Sequence, residues 1–385
     1  MRLVYIYPKL TFASGTERIL IDKMNFFADQ EGYEVMALTY EQDNHPIVFP
    51  LSSKVIYVDL DARFYELYKY NRFVRLIKWT CYLWRLRKRF DDLMASFRPD
   101  IVIATTYYAD IMSMVKSCPV PFVKILESHI DQRYIHNNRQ KQFNLFQRLH
   151  SWIKFRTIVR MSSKFDRLVA LNSDDALDWS SQLSTVVIEN MVHLNPLGRI
   201  SSQDTKRVIF VGRYEWQKGV MDLLDIWAKV HSAYPDWHLD MYGYGNLFEN
   251  LIKKADTLHA NIHVHASTTD IFEKYVNSTL LLVTSNFEPF GLVMPEAMSC
   301  GLPVVAFDCP SGPANIINDG VDGYLIKNRD INAFVDKVCY LINHQDIRLK
   351  MGKAAVQSSL RYSPEVVIPK WKEFFISLLS EKLNN

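Results

Sequence analysis

The stretch at 280–301, LLLVTSNFEPFGLVMPEAMSCG, predicts a strand, a loop and a helix in close succession. Its first four residues form a short apolar run typical of a buried strand, and 303–306 predicts the next one. Between them we expect a helix that begins at Phe290 to Leu292 and ends at Gly301, where glycine favours a left-handed stop. A helix start at the carboxyl end of a strand is where α/β sheets bind phosphate-bearing ligands.

Two glutamates bracket this loop. Glu288 precedes the predicted helix and Glu296 lies within it, with seven residues between them. Because a carboxylate repels phosphate, Glu288 is better suited to accept hydrogen bonds from sugar hydroxyls. For an isolated pair, an acidic first turn that complements the helix dipole is the alternative.

The residues between the glutamates resemble the E-x7-E motif of retaining glycosyltransferases of family 4. The match comprises EPFGL at 288–292 and PEA at 295–297. The resemblance implies the GT-B fold, an α/β architecture of two Rossmann-like domains whose parallel sheets face each other across a cleft. It implies that Glu288 binds hydroxyls of a donor sugar and that Glu296 binds the ribose. The donor-binding candidates of this motif are Glu288, Pro289, Phe290, Gly291, Leu292 and Glu296.

The sequence DCPSGP at 308–313 resembles a loop of polysaccharide-assembling members of the family.

A cationic loop, GRYEWQKG at 212–219, follows the strand predicted at 207–211. Arg213 and Lys218 can converge on one anion, Arg through its planar fork and Lys as a point charge. Two solvated loop charges are the simpler alternative. The segment resembles the G-R-x4-K-G element of family 4, which implies that both cations hold the donor diphosphate and that Gly212 lies beside it.

Glycines mark two further loops. Gly243 and Gly245 resemble the glycine loop that lies near the nucleotide in family 4, although Phe248 stands where a dinucleotide fingerprint needs a third glycine. Gly15 matches the N-terminal glycine loop of the family, with Ser14 in place of the second glycine that many members carry. All three glycines are donor-binding candidates.

Strand ends in the first half supply the remaining candidates. His129 follows a strand predicted at 122–126, and a lone histidine is most often structural. The resemblance implies instead that it contacts the donor sugar near the reacting carbon, where Glu127 can orient it. Glu189 and Asn190, after the strand at 185–188, complete the donor-binding set.

We therefore predict four catalytic residues: His129, Arg213, Lys218 and Glu288. No metal site is expected, because no D-x-D occurs at a strand end in the nucleotide half, where Asp222 and Asp225 lie on a predicted helix, and no metal-ligand spacing occurs. No cofactor is expected beyond the nucleotide sugar. Leaving-group charge would be met by the two cations and the helix start.

The length of 385 residues favours two domains. Strand patterns that alternate with helical ones predict parallel sheets at 1–190 and 207–363, joined by a polar linker at 191–206. We expect the first domain to bind the acceptor and the second the nucleotide sugar. The resemblance implies that a helix at about 364–385 packs back on the first domain.

Composition points to a cytoplasmic protein. The five cysteines are odd in number and show no metal-ligand or redox spacing, which favours a reducing compartment. We find no signal peptide, and no apolar run approaches the roughly 18 residues that span a bilayer.

The net charge of +3 is unevenly distributed. The stretch at 63–89 contains nine basic residues and one acid, and 133–167 repeats the pattern. The aromatics and cations of 64–90 follow helical spacing, which fits an ordinary surface helix. The alternative is a helix lying on the anionic inner face of the cytoplasmic membrane. A nucleic-acid partner is disfavoured, because the sugar-nucleotide motifs leave no role for it.

With these features, the resemblance to family 4 implies transfer of a hexose or N-acetylhexosamine from a nucleotide diphosphate sugar with retention of anomeric configuration, and UDP is the expected nucleotide. The expected acceptor is a glycan or a polyprenyl-diphosphate-linked glycan of cell-surface polysaccharide assembly, such as lipopolysaccharide. A GT-B sugar-nucleotide epimerase and a non-catalytic sugar-nucleotide binding module are the alternatives. The motifs leave the sugar, the linkage and the acceptor open.

Overall fold

The computed structural model describes residues 1–130, 132 and 145–383. It contains two units. Unit 1 comprises Met1–Glu189 and Pro369–Asn385, and unit 2 comprises Asn190–Ile368. Part of the second basic stretch, 133–144, lies outside the described residues.

Unit 1 is built on a parallel sheet of seven strands. Its elements in chain order are β1 (Arg2–Ile6), α1 (Gly15–Asp29), β2 (Glu34–Thr39), β3 (Ile56–Asp59), a 3-10 turn (Phe64–Lys69), α2 (Arg72–Phe97), β4 (Ile101–Thr105), α3 (Ala109–Ser117), β5 (Val123–Ser128), α4 (Leu145–Ser162), β6 (Arg167–Ala170), α5 (Ser173–Trp179) and β7 (Thr185–Val187). The strand order is β3-β2-β1-β4-β5-β6-β7, so the winding direction reverses beside β1.

The two faces of this sheet are covered differently. On one face, Leu86, Phe90 and Met94 of α2 pack with strand residues such as Val102 and Leu126 in a buried apolar cluster. Successive strand residues alternate between faces, so the neighbours of these residues point to the other side. That second face carries polar groups as well as apolar ones.

Unit 2 is built on a parallel sheet of six strands. Its elements are β8 (Arg207–Val211), a 3-10 turn (Trp216–Lys218), α6 (Val220–Ala233), β9 (His238–Gly243), α7 (Phe248–Leu258), β10 (Ile262–Ala266), α8 (Ile271–Val276), β11 (Leu280–Val283), α9 (Val293–Ser299), β12 (Val304–Asp308), α10 (Gly312–Ile316), β13 (Gly323–Lys327), α11 (Ile331–Asn343), α12 (Gln345–Ser359), a 3-10 turn (Leu360–Tyr362) and α13 (Pro364–Leu383), which passes into unit 1. The order is β10-β9-β8-β11-β12-β13. The predicted α/β class, with two Rossmann-like parallel sheets, is confirmed.

Residues 191–206, predicted as a linker, belong to unit 2. The amide of Ser201 donates to Cys300 O over 2.8 Å, and Gln203 Nε2 donates to Gly301 O over 2.6 Å. The buried guanidinium of Arg348 also donates to Gln203 O over 3.2 Å. The segment is polar because its side chains hydrogen-bond to buried carbonyls, and polarity alone therefore gave the wrong boundary.

The stretch at 64–90 is not one helix. Its first part forms the 3-10 turn, and α2 begins only at Arg72 and continues to Phe97. Asn71 causes the break, because its side chain accepts a hydrogen bond from the Val74 amide over 3.0 Å and caps the new helix. Among the described residues, no helix combines the length and apolar character needed to cross a membrane.

The last helix, α13, is held on unit 1 by aromatic and charged contacts. The Phe375 ring is fully buried and lies 5.5 Å from the ring of Phe27 on α1. Lys372 Nζ lies 2.7 Å from Glu31 Oε2, and Arg167 of β6 pairs with Glu381. The apolar face provides most of this attachment, since exposed ion pairs contribute little.

Replacing Phe375 with alanine is expected to lower the free energy of unfolding by about 3–5 kcal/mol, because it removes a buried ring and leaves a cavity. Ile376→Ala is the matched control, since its side chain is 55% exposed; its loss should stay within about 0.5 kcal/mol. Urea unfolding followed by tryptophan fluorescence measures both. Equal losses for the two variants would contradict this packing of α13.

Candidate active site

Two loops of unit 2 meet because β8 and β11 are neighbouring parallel strands. The carboxyl ends of parallel strands lie at the same edge of a sheet, so the loops that follow them are adjacent. The loop after β8 carries Arg213 and Lys218, and the loop after β11 carries Glu288. These are the two motifs that the sequence singled out.

Lys218 and Glu288 form an ion pair through Nζ and Oε2. Their side chains are 15% and 6% exposed, and Ser285 Oγ donates to the same carboxylate oxygen over 3.1 Å. The cation predicted to hold a diphosphate and the carboxylate predicted to hold a sugar are thus direct partners. Sequence reasoning missed this pairing, because the two residues are 70 positions apart.

Arg213 lies closer to solvent than Lys218. Its side chain is 39% exposed, and its guanidinium pairs with Glu215 at 2.9 Å and donates to Gln217 Oε1 over 2.8 Å. Both partners belong to its own loop, so the side chain is held near the loop without being buried. It is accessible to an anion from solvent.

The two loops are fastened by several hydrogen bonds. The Asn286 amide donates to Gln217 O over 2.8 Å, and Gln217 Nε2 donates to Phe287 O over 3.2 Å. Thr284 Oγ1 donates to the carbonyls of Lys218 and Gly219, each over 3.1 Å. These bonds fix the backbone on either side of the ion pair, so its geometry does not depend on the ion pair alone.

Gly219 is required by this contact. Its φ is +62°, and a Cβ built there would lie 1.9 Å from Thr284 O. No side chain fits without moving one of the two loops. The glycine of the G-R-x4-K-G element is therefore explained by loop packing.

Arg329 also supports the site and was missed by sequence reasoning. It donates to Ser285 O over 2.5 Å and to Thr284 O over 3.0 Å, and it pairs with Asp222 of α6 at 2.5 Å. Its position just after β13 brings it to the carboxyl edge of the sheet. No motif marks it, because one arginine in a loop has no distinctive spacing.

The helix after Glu288 begins later than predicted. It starts at Val293, with Leu292 as the residue before it, and not at Phe290 to Leu292. Gly291 has a φ of +89°, which is incompatible with a right-handed helical turn. The Glu288 carbonyl accepts from the Gly312 amide over 2.6 Å, so residues 288–292 form a loop docked on α10.

The remaining residues of the E-x7-E motif are mostly buried. Glu296 is 4% exposed on α9 and accepts from the Tyr275 hydroxyl over 3.3 Å. The Phe290 ring packs edge-on against Tyr362 with centroids 5.3 Å apart. Pro289 lies in the loop between Glu288 and Phe290.

The glycine loop after β9 packs on the loop after β8. A Cβ on Gly243 would lie 1.9 Å from Gly212 O, and one on Gly245 would lie 2.5 Å from Tyr214 O. The Tyr214 amide donates to Tyr244 O over 2.6 Å. Close backbone approach within unit 2 thus accounts for both glycines, whichever ligand lies nearby.

In unit 1, His129 lies just beyond β5 and is 9% exposed. Its Nε2 is 2.8 Å from Glu127 Oε2, and that same oxygen pairs with Lys23 of α1. Burial by itself raises the pKa of the Glu127 carboxyl, but Lys23 and His129 outweigh burial and lower that pKa to about 2. The role of His129 toward a donor sugar stays a prediction.

The remaining donor-binding candidates lie at a helix start and near the boundary between the two units. Gly15 is the first residue of α1, and Ser14, which precedes it, bonds to Glu17. Glu189 forms an ion pair with Lys370 of α13 at 2.8 Å. Asn190, the first residue of unit 2, is 8% exposed. In the described ranges, no group of three or more His, Cys, Asp or Glu residues is arranged to hold a metal ion.

Replacing Gly219 with alanine is expected to lower the free energy of unfolding by more than about 3 kcal/mol, because it adds a clash with Thr284 O to the cost of a positive φ. Gly320→Ala is the matched control: its φ is +75°, and a Cβ there meets nothing within 4 Å. It should lose only about 1–2 kcal/mol. Urea unfolding compares them, and similar losses would show that the loops are not in contact.

Comparison with known proteins agrees with this architecture. Residues 199–358 match the family described as "Glycosyl transferases group 1". An uncharacterized glycosyltransferase of Haemophilus influenzae is 26% identical over 94% of this chain and 96% of its own length. The amylovoran biosynthesis glycosyltransferase AmsD of Erwinia amylovora is 34% identical over 47% of this chain, and the match spans only 52% of its own length.

Solved structures show the same fold. Staphylococcus aureus TarM, in a complex with fondaparinux, alpha-GlcNAc-glycerol and UDP, aligns with a TM-score of 0.78 at 16% identity and covers 97% of this chain and 99% of its own. At that identity the likeness concerns the fold. The chain is a glycosyltransferase with a GT-B fold, and its residues 199–358 match the glycosyl transferases group 1 family.

Proposed function

We propose that this enzyme transfers a hexose or N-acetylhexosamine from a UDP-sugar to a glycan or lipid-linked acceptor of cell-surface polysaccharide assembly, with retention of anomeric configuration. The observation that carries the donor half of the proposal is the Lys218–Glu288 ion pair, with Arg213 on the same loop. A cation next to a carboxylate suits a ligand that joins a diphosphate to a polyhydroxylated sugar.

The ion pair would be exchanged when the donor binds. The diphosphate replaces the Glu288 carboxylate as the partner of Lys218, and Glu288 turns to accept from sugar hydroxyls. Because each residue is already held by neighbouring hydrogen bonds, little ordering is left to the ligand. Arg213 adds a planar fork from the solvent side, and Glu296 binds the ribose.

The same cations allow the reaction to proceed without a divalent ion. As the sugar leaves, negative charge grows on the diphosphate, and a fixed donor in a water-poor site stabilises that charge by about 3 kcal/mol. We therefore propose that no metal is required.

The acceptor side of the proposal draws on the relatives. AmsD is named for amylovoran biosynthesis, and TarM was solved with alpha-GlcNAc-glycerol and UDP. A glycan acceptor and a UDP-sugar donor are consistent with those names. The identity of the sugar is set by pocket side chains that no motif specifies.

A donor screen tests the proposal. The full chain is incubated with UDP-hexoses, UDP-N-acetylhexosamines and GDP-mannose, with and without a lipid extract as acceptor and with and without excess EDTA. We expect UDP release that depends on acceptor and survives EDTA, and NMR of the product should show the donor's anomeric configuration. Release that never depends on acceptor would overturn the transferase assignment, and rescue by Mg²⁺ after EDTA inhibition would overturn the metal-free mechanism.

Lys218→Ala is expected to lower kcat by roughly 100-fold and to change KM far less, because the cation acts on charge that develops as the sugar leaves. Steady-state kinetics with the preferred donor measures both constants. Lys253→Ala removes an exposed cation of α7 in the same unit and should behave as the wild type. An unchanged kcat with a raised KM would make Lys218 a ground-state contact only.

We also propose that α2 rests on an anionic membrane surface. The first turns of this helix expose large apolar side chains: Phe73 is 82% exposed, Leu76 64% and Trp84 67%. Arg72, Arg85 and Lys88 are exposed on the same helix. An interfacial helix typically places aromatic residues at the boundary between membrane and water and cations toward the lipid headgroups.

Not all cations of this segment are available to lipid. Arg89 donates to Leu60 O over 2.6 Å, and Arg87 donates to Ser117 O over 3.0 Å. Charge reversal at these two positions would damage the fold as well as the surface. The exposed set of Arg72, Arg85 and Lys88 is therefore the better probe.

Reversing Arg72, Arg85 and Lys88 to glutamate is expected to strip the protein from anionic vesicles, since each cation near such a surface contributes about 1 kcal/mol. Co-sedimentation with phosphatidylglycerol-containing vesicles at about 0.15 M salt measures binding. The control reverses Lys253, Lys350 and Lys353, which are exposed on unit 2, and should bind as the wild type. A wild-type protein that ignores these vesicles would make α2 an ordinary surface helix.

A further inference from the structure

Lys23, Glu127 and His129 form a chain of charged and polar groups in unit 1. Lys23 of α1 is 2% exposed, Glu127 of β5 is 2% exposed and His129 is 9% exposed. Glu127 Oε2 contacts both the lysine ammonium and the histidine Nε2. The links join α1, the end of β5 and the residue that follows it.

The surroundings of Lys23 are largely apolar. Its neighbours on α1, Leu20, Met24 and Phe27, are buried, and the Trp371 ring of α13 lies 4.5 Å from Lys23 Nζ. A buried ion pair adds little stability over apolar side chains of similar size. Stability alone therefore gives weak grounds for a lysine and a glutamate at these positions.

The contacts among Lys23, Glu127 and His129 determine which nitrogen of the histidine ring carries the proton. The ammonium of Lys23 stabilises the ionised form of Glu127. Burial raises the pKa of the Glu127 carboxyl, but Lys23 and His129 outweigh burial and lower that pKa to about 2. An ionised carboxylate can only accept hydrogen bonds. The proton shared with Glu127 must then be on His129 Nε2, which leaves Nδ1 as the acceptor of the neutral ring.

We propose that Glu127 and Lys23 are positioning residues for His129: they orient the imidazole ring and determine which of its nitrogens carries the proton. Lys23 acts through Glu127, and Glu127 acts through His129. This deepens the proposed function, on which it rests for its activity readout, because His129 is predicted to contact the donor sugar near the reacting carbon.

The first test is spectroscopic and needs no substrate. Long-range ¹H–¹⁵N NMR of histidine-labelled full chain reports the tautomer of each ring, and His129→Asn identifies the His129 signals. We expect the Nε2–H tautomer in the wild type. Glu127→Gln should give a mixture or the other tautomer, because an amide can both donate and accept. An unchanged tautomer in a folded Glu127→Gln protein would overturn the proposal.

A paired variant separates positioning from folding. Glu127→Gln alone leaves the Lys23 ammonium buried without its anion, whereas Lys23→Met with Glu127→Gln removes both charges together. We expect the double variant to unfold at a urea concentration close to that of the wild type and still to lose the fixed tautomer. A double variant that keeps the Nε2–H tautomer would show that the ion pair does not control the ring.

The second test is a kinetic cycle. Glu127→Gln is expected to lower kcat about 10- to 100-fold with KM within about twofold, as when a partner that orients a ligating or catalytic group is lost. In a His129→Asn background the same change should have no further effect, since Glu127 then has nothing to orient. Equal effects of Glu127→Gln in both backgrounds would mean that Glu127 does not act through His129.

Lys372→Met is the control for α13. It breaks the Lys372–Glu31 pair, which also attaches α13 to α1 and its following turn, and it leaves the contacts among Lys23, Glu127 and His129 intact. It should keep the wild-type tautomer and kcat. If no transferase activity is found with any donor, the proposed function fails while the NMR result still decides the positioning claim.

Discussion

The pairing of Lys218 with Glu288 is the interaction on which the candidate site depends. It joins the loops after two neighbouring strands, and the close contact of Gly219 with Thr284 O leaves no room for a side chain between those loops. Opposite charges held at the carboxyl edge of a sheet form a preorganised site, because the backbone sets their positions before a ligand arrives. In the mechanism that we propose, a donor exchanges partners with groups already in place.

Unit 1 uses buried charge in a different way. Its ion pair between Lys23 and Glu127 lies beneath the aromatic rings of α13 and ends at a histidine. Isolated charges would be costly at this depth, so each group is held by at least one neighbour. The last helix contributes to this environment, since Trp371 covers the lysine while Phe375 fills the space beside α1.

The two halves of the α2 helix differ in their surroundings. Its second half buries Leu86, Phe90 and Met94 in the core, which anchors the helix to the sheet. Its first half, after the Asn71 cap, exposes rings such as Phe73 that no core packing explains. Exposed aromatic groups beside cations are stable where they can be partly buried in a headgroup layer.

The sequence by itself determined the two parallel sheets and the two motifs of the candidate site, because strand periodicity and short motifs are local properties of the chain. Only the tertiary structure decided that Lys218 pairs with Glu288 and that Arg329 supports their loops, since these contacts join distant residues. The tertiary structure also decided where the helix after Glu288 begins, at Val293, and that Gln203 is buried. Both depend on a backbone angle or a hydrogen-bond partner that residue type alone does not reveal.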